Sequence, residues 1–126
     1  MAKTLMVGCG GFLGANLRYW LGGLIQNRAG SVFPIGTLAV NVSGSFVLGA
    51  LLALALRENW SPGWRLFLGV GLLGGYTTFS TFSHEAVGLL GDGSHRLALL
   101  YVLGNVVLGI VGAWLGIVAA RSMAGG

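Results

Sequence analysis

Charge is scarce in this sequence. Of its 126 residues, seven are basic and three are acidic, so 8% are charged while 55% are hydrophobic. A soluble domain usually carries about a quarter charged residues, and so few charges cannot cover a surface that faces water. The deficit excludes an ordinary soluble globule and indicates a chain solvated by lipid. The length allows one domain, which we place over residues 1–126.

Cysteine is nearly absent, and the few basic residues are dispersed. The single Cys9 excludes an internal disulfide and a cysteine cluster for a metal. We interpret it as a buried, inert thiol, because free cysteine behaves as a small hydrophobic residue. Basic residues scattered along the whole chain do not form a nucleic-acid patch. We therefore expect no nucleic-acid partner.

Catalytic combinations are missing as well. His84 and His95 lie near or beyond the end of the third apolar segment, each with one acidic residue nearby. Nothing pairs a nucleophile with a general base, and solvated histidines are the simpler interpretation. Glycines at 8, 11 and 14 resemble the glycine pattern of a dinucleotide site, but no acid follows about 20 residues on. The sequence therefore predicts that the protein is not an enzyme.

Charges and turn residues cut the chain into four long apolar segments. Each is long enough for the roughly 20 residues that cross a bilayer core, and backbone groups that lipid leaves unsatisfied require helices. Trp20, Trp60 and Trp64 fall near segment ends, where interfacial anchors are expected. The first segment is too long for a signal peptide. The sequence thus predicts an all-α membrane protein with four transmembrane helices at about 4–25, 33–56, 64–90 and 95–120.

The loops give only a weak orientation signal. One side of the membrane would carry four basic residues and the other two, namely Lys3, Arg57, Arg65 and Arg121 against Arg28 and Arg96. This bias is small under the positive-inside rule. A chain with a weak bias can insert both ways, which permits an antiparallel dimer without requiring one.

Small residues recur at four-residue spacing inside the apolar segments. Such spacing lets the backbones of neighbouring helices approach closely in a membrane. We therefore predict helix–helix interfaces at these positions. The sets are Gly10/Gly14, Ser45/Gly49/Ala53, Gly71/Gly75 and Gly112/Gly116.

Polar residues inside the predicted spans, among them Arg18, Asn41, Glu85 and Asn105, each cost energy unless they are partnered. Arg18 either snorkels to the interface or hydrogen-bonds at a helix end, with an ion pair to Glu85 as the alternative. Asn41 and Asn105, in the second and fourth spans, are candidates for hydrogen bonds between helices.

The densest polar signal is the run GGYTTFSTFS at residues 74–83. Paired glycine weakens a helix, and the five Ser and Thr side chains that follow can satisfy freed backbone groups or line a polar path. We therefore predict a third helix broken at mid-membrane, an arrangement that commonly forms ion sites. Phe79 and Phe82 share a helix face. Their electropositive ring edges would help to hold an anion, unless both rings simply belong to the core.

A family resemblance rests on three runs of sequence. They are GGYTTFSTFS at 74–83, GTLAVN at 36–41 and GANLRYWLG at 14–22, and they resemble the Fluc (CrcB) family of fluoride channels. The resemblance covers essentially the whole chain. It implies a passive channel that exports fluoride and so limits its toxicity in the cytoplasm. It also implies an antiparallel, dual-topology homodimer with two pores, in the membrane of a cell and most simply a bacterial inner membrane.

The resemblance also assigns individual residues. It implies that Asn41 donates its amide to the anion and that the ring edges of Phe79 and Phe82 contact fluoride. A serine stands in some relatives at the position of Asn105, where an amide still donates a hydrogen bond. The remaining polar lining of the pore would be Thr37, Ser80, Thr81 and Tyr101.

Charged residues and a cation complete the resemblance. Arg18 and Glu85 match charged positions toward the vestibules of the pore. The carbonyl groups of Gly74 and Thr77 match those that hold a central structural Na⁺ at the dimer interface. Oxygen ligands suit a hard cation of this kind.

Two other functions are compatible with four spans. A small proton-coupled multidrug exporter needs a carboxylate in its first span, and the first span here contains neither Asp nor Glu. A non-transporting membrane scaffold would leave the hydroxyl-rich run without a purpose. The sequence therefore favours the channel over the exporter and the scaffold.

Overall fold

A computed structural model describes residues 1–123, and these residues form helices joined by short turns. The prediction of an all-helical fold is confirmed. The first two helices are uninterrupted, with α1 spanning Ala2–Ala29 and α2 spanning Ile35–Arg57. Their connection is fixed by Gln26, whose Nε2 donates to the Ser31 carbonyl at 2.7 Å and whose Oε1 accepts from the Gly36 N–H at 3.1 Å.

The second half of the chain contains two stretches of π-helix. Helix α3 covers residues 62–76 and consists of Pro62–Arg65, a π segment at Leu66–Leu73 and Gly74–Tyr76. Helix α4 spans Phe79–Gly91. Helix α5 spans His95–Met123 and contains a second π segment at Gly104–Leu108. The sequence pattern did not predict either π segment.

Only two of the described helices are by themselves long and apolar enough to cross a membrane. These are α2 and α5. Helix α1 has the length, but Asn16 and Arg18 lie in its middle and reduce its hydropathy. Helices α3 and α4 are each shorter than the roughly 20 residues that a span requires.

The chain leaves helical geometry at Thr77 and Thr78. Their backbone angles are extended, with φ −80° and ψ 156° at Thr77 and φ −149° and ψ 119° at Thr78. The glycine pair that we expected to weaken the helix stays helical, since Gly74 has φ −65° and ψ −35°. Gly75 is needed for packing instead, because a Cβ there would lie 2.8 Å from the carbonyl oxygen of Gly11. The interruption therefore follows the glycines.

Close helix contacts form where the small residues recur, as predicted. On α1, a Cβ at Gly10 or Gly14 would overlap the backbone of α3. Between α2 and α5, a Cβ at Gly49 would overlap the Ala113 carbonyl, and a Cβ at Gly116 would overlap the Phe46 carbonyl. Two pairs of helices, α1 with α3 and α2 with α5, are thus in backbone contact.

The prediction that Cys9 is buried is wrong for the single chain. Gly10 and Gly14 turn their face of α1 toward α3, which leaves Cys9 exposed on the outer surface of the helix. Large apolar side chains surround the molecule in the same way, among them Phe12, Ile110 and Trp114. An apolar surface of this extent is typical of contact with lipid or with another protein.

The buried core lies where α2, α4 and α5 meet. Tyr101 is fully buried at its centre, and Phe82 and Leu38 pack around it. The rings of Phe82 and Tyr101 have centroids 5.5 Å apart. This core fixes α4 against α2 and α5, and so holds the end of the interruption next to both helices.

Candidate functional site

Asn41 on α2 is hydrogen-bonded to the interruption between α3 and α4. Its Nδ2 donates to the carbonyl oxygen of Thr78 at 3.1 Å, and its Oδ1 accepts from the N–H of Thr78 at 2.8 Å. Backbone groups that leave a helix need partners when they are buried. One side chain from α2 therefore satisfies both backbone groups of Thr78.

A second asparagine extends this contact to α5. The Nδ2 of Asn41 also donates to the Oδ1 of Asn105 at 2.9 Å, and the Nδ2 of Asn105 donates to the Tyr101 carbonyl at 3.0 Å. An amide nitrogen carries two hydrogens. Both hydrogens of Asn41 are thus engaged, one by Thr78 and one by Asn105.

The hydroxyl of Thr78 caps α4. It accepts a hydrogen bond from the Thr81 N–H at 3.2 Å and donates to the Thr81 hydroxyl at 3.0 Å. Ser80 Oγ lies 3.3 Å from the same hydroxyl. Threonine is a favoured N-cap because its oxygen satisfies a free amide of the first turn. Three hydroxyls therefore cluster at the start of α4.

Glu85 is held by hydroxyl groups from two other helices. Thr37 on α2 donates to its Oε1 at 3.0 Å, and Tyr101 on α5 donates to its Oε2 at 2.5 Å. Arg18 forms no ion pair with Glu85; across residues 1–123 the ion pair present joins Arg57 to Glu58 at 3.8 Å. The pairing alternative for Arg18 is therefore wrong, and Glu85 depends on neutral donors.

Two cavities meet at Thr78. The phenylalanine cavity, about 450 Å³, and the glutamate cavity, about 440 Å³, both have Thr78 in their walls. Polar residues of the first include Asn41, Thr77 and Asn105, beside Phe79 and Phe82. Polar residues of the second include Arg18, Thr37, Thr81 and Glu85. Thr78 thus lies between the two cavities, and Asn41, which is hydrogen-bonded to it, lines the phenylalanine cavity.

The two phenylalanines differ in environment although their rings are in contact. Phe79 is 79% exposed and Phe82 is 8% exposed, with ring centroids 5.5 Å apart and planes at 57°. Both rings line the phenylalanine cavity. The alternative that the rings simply belong to the core holds for Phe82, which packs on Tyr101 and presents part of its ring to the cavity. It does not hold for the exposed Phe79.

Comparison with known proteins identifies the family. The family model described as CrcB-like protein, Camphor Resistance (CrcB), matches residues 5–117. The chain belongs to the CrcB-like family. This confirms the resemblance found in the sequence.

Curated relatives of this family are similar over nearly their whole length. "Fluoride-specific ion channel FluC 2" of Moorella thermoacetica is 47% identical over 94% of this chain and 97% of its own. "Fluoride-specific ion channel FluC" of Thermus thermophilus is 49% identical over 92% and 93%. The protein of the same description from Geobacter sulfurreducens is 48% identical over 98% and 100%. All three names describe a fluoride channel.

Most of the residues assigned from the sequence lie around Thr78, but Gly74, Ser80 and Tyr101 line neither cavity. Ser80 lies beside Thr78. Tyr101 is fully buried and donates a hydrogen bond to Glu85, which lines the glutamate cavity. Thr78 itself was missed by the sequence reasoning, which named its neighbours. The signal was weak: threonine is a favoured N-cap, but Thr81 stands where a capping box would have Glu or Gln.

Two carbonyl groups near the interruption lack their usual helical donors. The N–H of Thr78, which in a continuous helix would bond to the Gly74 carbonyl, donates to Asn41. The N–H of Thr81, four residues after Thr77, donates to the Thr78 hydroxyl. The carbonyls of Gly74 and Thr77 are therefore available to another ligand. Within residues 1–123, no group of three or more His, Cys, Asp or Glu side chains offers a conventional metal site.

Proposed function

We propose that this protein is a passive, fluoride-selective channel that drains fluoride from the cell and limits its toxicity. The observation that carries the proposal is the track of uncharged hydroxyl and amide donors on α2, α4 and α5, which runs past Thr78 between two cavities. The names of the relatives, which describe fluoride-specific channels, support fluoride as the ion. Such a channel is not an enzyme.

The membrane setting is supported by the apolar outer surface. Helices α2 and α5 are long enough to span a bilayer. We propose that α1 forms a third span and that α3 and α4 together form the fourth, which places Thr77 and Thr78 at mid-membrane. Extended backbone at that depth is tolerated where protein or a cavity surrounds it, and Asn41 and the two cavities supply both conditions. A bacterial inner membrane is the simplest location.

A second copy of the chain completes the proposed channel. Phe79 is highly exposed and the phenylalanine cavity is open at the surface of the single chain. An antiparallel partner would cover this face, and a two-fold axis would then give two equivalent pores. The weak charge bias of the loops allows both orientations to insert, as dual topology requires.

The chemistry of the track suits fluoride. This ion is small and strongly hydrated, so a pore must replace its water with hydrogen-bond donors. The hydroxyl and amide groups near Thr78 donate without a fixed positive charge, which keeps binding weak enough for the ion to leave. The edges of Phe79 and Phe82 add a weakly electropositive surface. Arg18 faces the same cavity as Glu85 and would offset its charge at the vestibule.

The free carbonyls of Gly74 and Thr77 fit the structural Na⁺ of the proposed dimer. Neutral carbonyl oxygens are suitable ligands for a hard monovalent ion, and two from each copy would provide four. When bound, the ion would supply positive charge between the copies. Gly74 and Thr77 would hold it, and Asn41 would contribute by keeping the Thr78 N–H away from the Gly74 carbonyl.

Fluoride efflux from liposomes tests the proposal. Purified protein is reconstituted into vesicles loaded with potassium fluoride, and matched vesicles are loaded with potassium chloride. Valinomycin should release fluoride rapidly while chloride is retained, because the pore is electrogenic and selective. Failure of a folded, reconstituted protein to release fluoride would overturn the channel and return the exporter and the scaffold to consideration.

Replacing Phe79 by isoleucine should depress fluoride flux while leaving the dimer intact. The substitution removes an aromatic edge from the phenylalanine cavity but keeps a bulky apolar side chain at a highly exposed position. Loss of about 1 kcal/mol of ion stabilisation corresponds to roughly a fivefold decrease. Efflux is compared with that of Val87→Ile, an exposed position on the same helix outside both cavities. Normal flux in Phe79→Ile would remove the ring-edge contribution.

A further inference from the structure

We propose that Asn105 is a positioning residue that competes with the permeating anion for the amide of Asn41. This inference rests on the proposed channel function, and it adds a residue that promotes release of the bound ion. Asn105 does not need to touch the ion. It acts through its Oδ1, which accepts a hydrogen from Asn41 at 2.9 Å.

The hydrogen bonds around Asn41 define its amide orientation. Its Oδ1 accepts from the N–H of Thr78, so its nitrogen must face the Thr78 carbonyl and Asn105. Asn105 is oriented in turn by its donation to the Tyr101 carbonyl, which leaves its Oδ1 directed at Asn41. The hydrogen-bonded series of Thr78, Asn41, Asn105 and Tyr101 therefore fixes the direction from which the Oδ1 of Asn105 approaches Asn41.

The local form of α5 brings Asn105 to this position. Asn105 lies in the π segment Gly104–Leu108, and π turns in helices are frequently associated with functional sites. A Cβ at Gly104 or Gly109 would make only ordinary van der Waals contact with α2, at 3.6 Å from Leu38 and 3.8 Å from Ser45 Oγ. The close approach of α5 to α2 is set further along the two helices, where a Cβ at Gly49 or Gly116 would overlap the opposing backbone.

Asn105 and the anion compete because the side-chain amide of Asn41 has only two hydrogens to donate. Both N–H groups of Asn41 are already used, one by a carbonyl that is part of the backbone and one by Asn105. An anion that enters from the phenylalanine cavity can take the second hydrogen only by displacing Asn105, whose side chain lines that cavity. When the Oδ1 of Asn105 returns, it favours release of the ion. Conduction requires binding that is weak enough to reverse.

Asn105→Leu tests this role, because leucine has a similar size and no acceptor. Fluoride efflux is measured over a range of internal fluoride concentrations. The half-saturating concentration should fall about fivefold, as expected for removal of one competing hydrogen bond, and the maximum flux should fall as release slows. Asn16→Leu is the matched control, since Asn16 also donates to a carbonyl four residues before it, at 2.7 Å from Phe12, but contacts neither Asn41 nor the cavities.

A spectroscopic readout separates positioning from general destabilisation. In protein labelled with ¹⁵N-asparagine, the side-chain amide signals of Asn41 are assigned by their loss in Asn41→Ala. They should shift in Asn105→Leu and in the smaller Asn105→Ser, and remain unchanged in Asn16→Leu. This measurement does not depend on transport, so it is informative even if the wild-type protein releases no fluoride.

The outcomes distinguish the two proposals. Wild-type efflux together with unchanged half-saturation in folded Asn105→Leu and Asn105→Ser would overturn the role of Asn105 and leave the channel intact. Unshifted Asn41 signals would overturn it as well. If neither variant folds, Asn105 is structural and the competition is refuted. Absence of wild-type efflux with shifted Asn41 signals would instead overturn the channel while retaining the contact.

Discussion

The substitution Asn41→Asp should lower fluoride flux by at least about a hundredfold, which is effectively a complete loss. Aspartate is close in shape to asparagine, but when ionised it accepts hydrogen bonds and donates none. Its second oxygen would face the Thr78 carbonyl and the Asn105 Oδ1, both of which are acceptors. The substitution therefore leaves buried acceptors without donors and places a negative charge in the path of an anion.

The experiment separates lost function from lost structure. Efflux and dimer content of Asn41→Asp are compared with those of Asn27→Asp, which adds the same charge at an exposed position near the end of α1, outside both cavities. The control should conduct like the wild type. A fluoride-conducting Asn41→Asp protein would refute the role of Asn41 as a donor.

Gly14→Ala should strongly destabilise the protein. The added Cβ would overlap the carbonyl oxygen of Leu72 and lie 2.8 Å from the backbone nitrogen of Tyr76. Both belong to the backbone of α3, so no side chain can rotate away and the helices must separate. Overpacking typically lowers the free energy of unfolding by about 1–3 kcal/mol. Because the neighbouring atoms here belong to a rigid backbone, we expect a loss near the upper end of that range. The displaced end of α3 would also move Thr77 and Thr78.

Thermal unfolding in detergent measures this effect. The melting temperature of Gly14→Ala should fall by roughly 10 °C, given the usual relation between free energy and melting temperature for a domain of this size. Gly23→Ala is the matched control on the same helix, because a Cβ there meets nothing within 4 Å. It should be neutral or slightly stabilising, since alanine favours helix more than glycine does. Equal melting temperatures for the two variants would refute the backbone contact of α1 with α3.

The positions of the helices were largely predictable, because charges and turn residues mark their ends. The segment expected at 33–56 is the helix Ile35–Arg57. The interruption lies within the run 74–83 where we expected it, but the glycine pair did not show its exact residues, since paired glycine can either loosen a helix or admit a neighbouring backbone. Gly75 does the second, against Gly11. Such a choice depends on tertiary packing, which local sequence does not contain.

The site was predictable in its residue types but not in its connections. The amide groups of Asn41 and Asn105 are 64 residues apart in sequence and 2.9 Å apart in space. The family resemblance named both residues, but only the folded chain shows that they bond to each other. The burial of Tyr101 is a similar case, because a tyrosine in an apolar helix has the same pattern whether it faces a pore or the core.

The π segments make the length of the chain as important as its side chains. A π turn is equivalent to an α-helix that has gained one residue. A residue gained or lost in a regular α-helix rotates everything beyond it by about 100°, whereas the wide turn at Gly104–Leu108 takes up its extra residue locally. The two halves of α5 therefore keep their faces toward α2, and the turn itself carries Asn105 to Asn41. In the evolution of this chain, a one-residue deletion there would keep both halves of α5 against α2 but would remove the wide turn that presents Asn105.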